Sequence, residues 1–175
     1  MKPRISLVVA IDNKNGIGKE GKIPWHIRED LIHLRELIKG HVVILGRKTF
    51  DTIVFYYNRS GREMPARLYI IVTRNNNYVP ARPHGVVVRS IDEALELAKK
   101  ETLRQTQGLQ EIFIIGGQQI FEQTLPLVDK LYLTVVEGDY NCDTFFPDYA
   151  EFKKIVSEKT GESEGHKYKF LELEK

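Results

Sequence analysis

The chain has 175 residues, 42% apolar and 29% charged, which suits one globular domain, residues 1–175, with a core large enough to hold without staples. Its 26 basic and 24 acidic residues are interspersed and leave a net charge of only +2, so bulk attraction to nucleic acid is excluded and any anion must be recognised locally. A lone Cys142 excludes an intrachain disulfide, no CxxC pair or His/Cys cluster points to a metal, and neither a signal-peptide core nor a run of about 18 apolar residues is found; the expectation is a cytoplasmic monomer with small-molecule partners, away from membranes.

Taken in order, the chain opens with ISLVVAI (5–11), a β-branched run without alternation, as in a strand buried on both faces. Residues 12–26 read as a long loop, a class that tends to be functional in a compact domain. Within it, Gly16 to Gly21 matches GxGxxG, and Gly16 to Lys22 matches GxxxxGK. Neither phosphate-loop reading holds. Ile23 has no hydroxyl for magnesium, and the third glycine leads into Ile23-Pro24-Trp25, where the residue before proline is turned away from helix. The glycines are expected to give a mobile loop its freedom, with Ile23, Pro24 and Trp25 as an apolar hook at its end.

Residues 27–39 carry helical periodicity. At roughly 100° per residue, Ile27, Leu31, Leu34 and Ile38 form one stripe, and Arg28, Glu29, Arg35, Glu36 and Lys39 face the other way. Asp30 falls on the edge of the stripe, between Leu37 and Leu34, although a solvent face was available to it. Two readings stay open at this point. A carboxylate in a first helical turn stabilises the macrodipole by about 0.3–1 kcal/mol; alternatively the acid is turned inward to meet a ligand, because an unpaired buried carboxylate costs far more than a dipole contact returns.

A second buried run, VVILG (42–46), meets a helix predicted over 47–55 that begins Arg47-Lys48-Thr49, so free backbone N–H groups, two cations and a hydroxyl share one helix N-terminus. A second long loop is expected at 56–66. Then come the strands LYIIVT (68–73), ending at Thr73-Arg74, and GVVV (85–88), and a helix over 91–101 with Ser90 as N-cap and Glu93 in its capping box. IFIIG (112–116) runs through Gly116-Gly117 into a helix over 117–124, and the missing Cβ atoms let a ligand approach the main chain. After LYLTVV (131–136) no helix is evident; FKKIVSEK, the turn GESEG and HKYKFLELE read as antiparallel strands. Alternating strands and helices imply an α/β fold, a mostly parallel sheet with helices on both faces and an antiparallel C-terminal edge. Ligands of such sheets gather at the carboxyl ends of the strands. Two anion-sized turns and a basic pair at one sheet edge describe a dinucleotide with an additional phosphate, NADP rather than NAD.

The motifs ISLVVAID, GIGKEGKIPW, HIREDLIHL, VVILGRKTF, RLYIIVTR, SIDEAL, IFIIGGQQIFEQTLP, LYLT and DTFFP follow one another in an order that resembles the dihydrofolate reductase family along nearly the whole chain. The resemblance implies a mixed, mostly parallel eight-stranded sheet with four helices, and reduction of 7,8-dihydrofolate to tetrahydrofolate by NADPH. It places Asp30 against the 2-amino group and N3 of the pterin, with Thr134 supporting the carboxylate. Trp25 becomes the hinge end of a loop over the nicotinamide, part of the catalytic group with Asp30 and Thr134. Arg67 pairs with the α-carboxylate of the folate glutamate, a bidentate role suited to guanidinium. Val8, Val9, Leu31, Leu34, Ile53, Met64 and Ile115 line the substrate side. Ala10, Ile17, Gly18, Ile115 and Phe121 border the nicotinamide. The turns Gly46-Arg47-Lys48-Thr49 and Gly116-Gly117-Gln118-Gln119 hold the pyrophosphate, with Arg47, Thr73 and Arg74 on the 2′-phosphate and a cis peptide at Gly116-Gly117.

The chain departs from common family patterns at Leu34 (often aromatic), Phe121 (often tyrosine), Gln119 (often basic) and Ala66 (often glycine), and VFYYNRSGREMPAR is longer than usual. Two alternatives share parts of the pattern: the pyrimidine reductase of riboflavin synthesis, which is not expected to combine PW, the helical acid and LYLT, and a folate- or NADPH-binding relative without turnover.

Overall fold

A computed structural model describes residues 2–81, 85–105, 108 and 110–175. The order of elements is β1 (Arg4–Ile11), β2 (Gly16–Gly18), α1 (Arg28–Ile38), β3 (Val42–Gly46), α2 (Arg47–Ser60), β4 (Leu68–Val72), β5 (Gly85–Val88), α3 (Ile91–Leu103), β6 (Glu111–Ile114), α4 (Gln118–Thr124), a short 3-10 turn, β7 (Lys130–Val136), β8 (Thr144–Phe145), β9 (Lys154–Ser163) and β10 (His166–Glu174). Eight strands form one sheet in the order β5-β4-β3-β6-β1-β7-β10-β9, and β2 pairs separately with β8. The six strands from β5 to β7 are parallel, whereas β10 and β9 add antiparallel neighbours at one edge.

The non-alternating runs have the predicted cause: both sheet faces are covered. Ile5, Leu7, Val9, Ile11, Ile44 and Ile70 point into a core shared with Ala94, Leu95 and Ala98 of α3 and Ile120 and Phe121 of α4. Val43, Leu45, Tyr69, Ile71 and Phe113 point the other way, against Ile38 of α1 and Phe50 and Val54 of α2. Because β6 is inserted between β1 and β3, the chain reverses direction across the sheet there, and the carboxyl ends of β1, β3 and β6 leave a crevice where strand order switches.

Three expectations change. Helix α2 continues one turn past residue 55, since Tyr57 extends the buried stripe of Phe50 and Val54, and it stops where Gly61 takes a left-handed φ of 69°. The long 56–66 loop is therefore mostly helix at its start. In GESEG, Gly161 to Ser163 belong to β9, so the turn is only Glu164-Gly165 (φ 52° and 81°), a tight hairpin with positive φ at both corners. The 12–26 loop is also pinned: β2 pairs with β8, and the Lys19↔Lys22 bridge closes a tight turn over Glu20-Gly21. At α3 the predicted cap is present, with the Ser90 hydroxyl accepting from Glu93 N–H at 3.1 Å; the Glu93 carboxylate reaches one residue further back than a capping box requires, to Arg89 N–H at 2.9 Å.

Candidate active site

Asp30 lies in the first turn of α1, on the side facing the sheet. The Thr134 hydroxyl on β7 donates to Asp30 Oδ1 at 2.7 Å, across 104 residues of sequence. Thr134 is 3% exposed, while Asp30 keeps a partial opening. Burial pushes the Asp30 carboxyl above its ordinary range, and the Thr134 hydroxyl and nearby His33 only partly oppose that. His33, one turn along α1, stacks on Phe170 with centroids 4.4 Å apart, and Phe170 is the β10 register partner of Thr134. Burial pushes the His33 imidazole down, with the Asp30 carboxylate pulling the other way. The inward acid therefore belongs to a small polar assembly on the sheet rather than to the macrodipole alone.

Around it, Val8, Leu34, Ile53, Met64 and Ile115 pack at the margin of the core under α1 and α2 and keep part of their surface open, as does Leu31. They form an apolar recess beside the carboxylate. The apolar stripe of α1 predicts a core-facing helix, yet only Ile38 within it is fully buried, because its middle turns face this recess. Val9 is corrected. Strand alternation sends its side chain to the opposite face, where it is 8% exposed in the other core, so only its backbone is available to the recess. Arg67 is turned onto the end of α3: Nη2 donates to the Glu101 carbonyl at 2.8 Å, and Nη1 stands 3.8 Å from the Glu101 carboxylate.

The loop over this region is held from below by Asp12, 1% exposed at the end of β1. Its carboxylate accepts from Gly16 N–H (2.8 Å), Lys14 N–H (2.9 Å) and Tyr140 N–H (3.1 Å), with the Cys142 thiol at 3.6 Å. Burial pushes the Asp12 carboxyl up, but these donors outweigh it and leave the group below its ordinary range. Here the glycines serve close approach rather than freedom: a Cβ on Gly16 falls 2.5 Å from Cys142 Cβ, and one on Gly18 falls 2.8 Å from Thr144 Oγ1. Glu20 N–H donates to Asp143 at 2.8 Å, tying the loop to the segment before β8. Of the expected hook, Ile23 is 62% exposed, whereas Trp25 is 7% exposed in a small core with Ile27, Val136 and Ala10, edge-on to Tyr140 at 5.2 Å. Ile17 packs against the larger core, whereas Ala10 packs against the small core around Trp25, and Gly18 pairs with Thr144 of β8.

Next to the recess, the ends of β3 and β6 are stitched together by Gly46 N–H donating to the Gly116 carbonyl at 2.7 Å, and Gly116-Gly117 is cis, as the resemblance implies. The Gly46 cap of α2 offers no side chain, and Arg47 and Lys48 fill the first turn where acids are usual, so the helix end presents N–H groups and positive charge together. A cleft of about 570 Å³ runs over Gly46 to Thr49, Thr73, Arg74 and Gly117 to Gln119. Among the described residues four cations line it, Arg47, Lys48, Arg74 and Arg89, and no carboxylate does. That donor set fits a polyphosphate with a further phosphate monoester. Arg89 was missed by sequence reading: it follows GVVV directly before the Ser90 cap, and its Nη1 donates to the Asn75 carbonyl at 2.8 Å, bracing the turn after β4. Phe121 is 4% exposed and edge-on to Phe146 at 5.2 Å, with its ring against Gly116; Ile115 packs on the recess side, and Gln119 is exposed at the rim of the cleft.

Comparison with known proteins covers nearly the whole chain. The family model described as dihydrofolate reductase matches residues 4–175. A dihydrofolate reductase of Staphylococcus haemolyticus is 36% identical over 169 residues, 95% of this chain and 92% of that protein. A type 3 dihydrofolate reductase of Salmonella typhimurium is 39% identical over 146 residues, 83% of this chain and 79% of that one. A solved dihydrofolate reductase from Enterococcus faecalis, complexed with NADP(H) and RAB-propyl, superposes with a TM-score of 0.78 at 28% identity, covering 98% of this chain and 95% of its own. With the inward acid and its threonine, the glycine-stitched strand ends and a full-length family match all on one sheet edge, this chain belongs to the dihydrofolate reductase family.

Proposed function

We propose that the recess beside Asp30 is where this chain carries out the family reaction, reduction of 7,8-dihydrofolate to 5,6,7,8-tetrahydrofolate, and that the adjoining cleft holds NADPH. NADPH supplies the hydride for C6 of the pterin, and N5 gains a proton. The observation that carries the residue assignment is the 2.7 Å Thr134–Asp30 hydrogen bond at the open end of an otherwise apolar wall. Asp30 binds the 2-amino group and N3 of the pterin, and as a poorly solvated anion it favours positive charge on the ring when N5 is protonated. Thr134 orients that carboxylate. Val8, Leu31, Leu34, Ile53, Met64 and Ile115 hold the substrate against the sheet and exclude water, and Arg67 takes the glutamate α-carboxylate by exchanging its contact with Glu101. Arg47, Lys48, Thr49, Thr73, Arg74 and the Gly116 to Gln119 turn hold the phosphates of NADPH. Ala10, Ile17, Gly18, Phe121 and the loop anchored by Trp25 enclose its reactive ring. A proton reaches N5 through water admitted by the 16–25 loop.

We further read the chain as one domain, since a single sheet runs from Arg4 to Glu174, and as a cytoplasmic monomer. Among the described residues no helix is long and apolar enough to cross a membrane. The test is Asp30→Asn, followed by loss of NADPH absorbance with dihydrofolate. The expected result is a fall in kcat/KM at neutral pH of about 100-fold or more, with NADPH binding retained. Full activity across the neutral range would remove Asp30 from the mechanism.

A further inference from the structure

We infer that Tyr78, outside the cofactor cleft, is a positioning residue for 2′-phosphate recognition: it draws Asp51 away from Arg47 and so keeps that guanidinium unneutralised, an inference that rests on the reading of Arg47 given above. Arg47 and Asp51 are four residues apart on α2, the spacing at which a cation and an acid meet on one helix face. A pair formed there would close the cation that faces the cleft. Among the described residues no ion pair joins them. Instead the Tyr78 hydroxyl donates to Asp51 Oδ1 at 2.6 Å, and the Arg47 guanidinium lies over the Tyr78 ring, 5.9 Å from its centroid.

The phenol wins this competition on general grounds. A short hydrogen bond to a carboxylate outweighs an exposed helical ion pair, and Arg47 stands N-terminal to its acid, the weaker orientation for such a pair. Tyr78 is held in place to do it. Its ring is half-buried against the core under α2, and its backbone N–H closes a turn onto the Asn75 carbonyl at 3.3 Å. Asn75 is fixed in turn by Thr73 Oγ1 and by Arg89. Burial and the adjacent Asp51 carboxylate push the phenol well above its ordinary range, so it stays a donor at any physiological pH. The aromatic face meanwhile steadies Arg47 without cancelling its charge.

The experiment is calorimetric titration of 2′,5′-ADP and 5′-ADP into the full-length protein and its variants. Tyr78→Phe keeps the ring and releases Asp51 to pair with Arg47. Affinity for 2′,5′-ADP is expected to fall roughly three- to fivefold, with 5′-ADP unchanged. Asp51→Asn alone should bind 2′,5′-ADP at least as well as the parent, and Tyr78→Phe combined with Asp51→Asn should restore parental binding, a rescue that loss of packing would not show. Unchanged 2′,5′-ADP affinity in Tyr78→Phe, equal weakening of both ligands, or failure of the rescue would each overturn the inference. Arg47→Leu separates the two levels: it should reduce the preference for 2′,5′-ADP, Arg74 and Thr73 keeping the remainder, and if the preference is unchanged, the role of Arg47 itself is wrong and the inference falls with it.

Discussion

Thr134→Val isolates the hydrogen bond that supports Asp30. Valine keeps the β-branched shape that suits β7 and deletes one hydroxyl, at a position only 3% exposed. A hydrogen bond to a charged group contributes about 1.5–3 kcal/mol net. At about 1.36 kcal/mol per tenfold, its loss shifts the balance between ionised and neutral Asp30 by roughly 10- to 150-fold. The direction follows from which form is bonded. Thr134 donates to the anion, so removing it pushes a carboxyl already raised by burial higher still. The acid limb of the kcat/KM profile for dihydrofolate should move to higher pH, and KM at neutral pH should rise, as fewer molecules carry the anion that holds the protonated pterin. Stability changes with the same sign. A carboxyl raised in the folded state contributes stability below its unfolded value, near 3.8, and loses it as pH rises through the folded value. The valine variant should thus be less stable than the parent at neutral pH and nearly equal to it in acid. Steady-state kinetics from about pH 5 to 9, paired with urea unfolding at both ends, measure the two effects. A profile that does not move would mean that Thr134 does not act through Asp30.

Two further substitutions probe the frame around the site. Asp12→Asn leaves one oxygen where two accept from three N–H groups and a thiol, at a cost of about 1–3 kcal/mol, or roughly 2–12 °C in Tm for a chain of this size. Because the Asp12 carboxyl is held below its ordinary range, this stabilisation is present above the unfolded pKa and disappears as pH falls through the folded one. The difference in Tm should therefore be full at neutral pH and shrink in strong acid, and an identical Tm at neutral pH would show that the donors find other partners. Gly116→Ala places a Cβ at φ 122°, 3.1 Å from the Phe121 ring; about 1–3 kcal/mol of stability and much of the NADPH affinity should be lost together, read by thermal melts and by quenching of Trp25 fluorescence. A melt like the parent's would refute the constraint.

Most of the sheet was legible because burial on both faces writes itself as unbroken β-branched runs, and the ends of those runs coincide with the strand ends to within a residue or two. The Ser90 cap and the misplaced Asp30 were legible for a related reason, since each is a local departure from a periodic pattern. What was missed depends on distant partners. β2 and β8 are three and two residues long, too short for periodicity to speak, and Gly16 and Gly18 are needed because Cys142 and Thr144 lie against them, more than a hundred residues later. The side of the sheet to which Val9 points follows from alternation, once the face of Val8 is known. Helix α2 ran past its predicted end although its stop signal, Gly61, stood in plain view; the aromatic residues before it are weak helix formers, and burial of Tyr57 overrode that. Arg89 and Tyr78 carry no local signature, because their significance lies in what they brace.

Two carboxylates, Asp12 and Asp30, show how one residue type is made structural in one place and chemical in another. Asp12 has given all its accepting capacity to the chain: backbone donors surround it, the charge is satisfied, and its carboxyl is held low. A proton taken up there would break the junction between two loops, so the group is of no use as a site. Asp30 is desolvated but less well paired, with the Thr134 hydroxyl on one oxygen and part of the residue's surface left open. Its carboxyl is held high for that reason, and the missing partners are the ones a heterocycle with an amino group and a ring N–H can supply. Binding such a ring relieves a cost that folding left in place. The same inward turn that spoils the amphipathic pattern of α1 therefore selects the ligand, and the position of Thr134 on β7 fixes which oxygen remains to meet it.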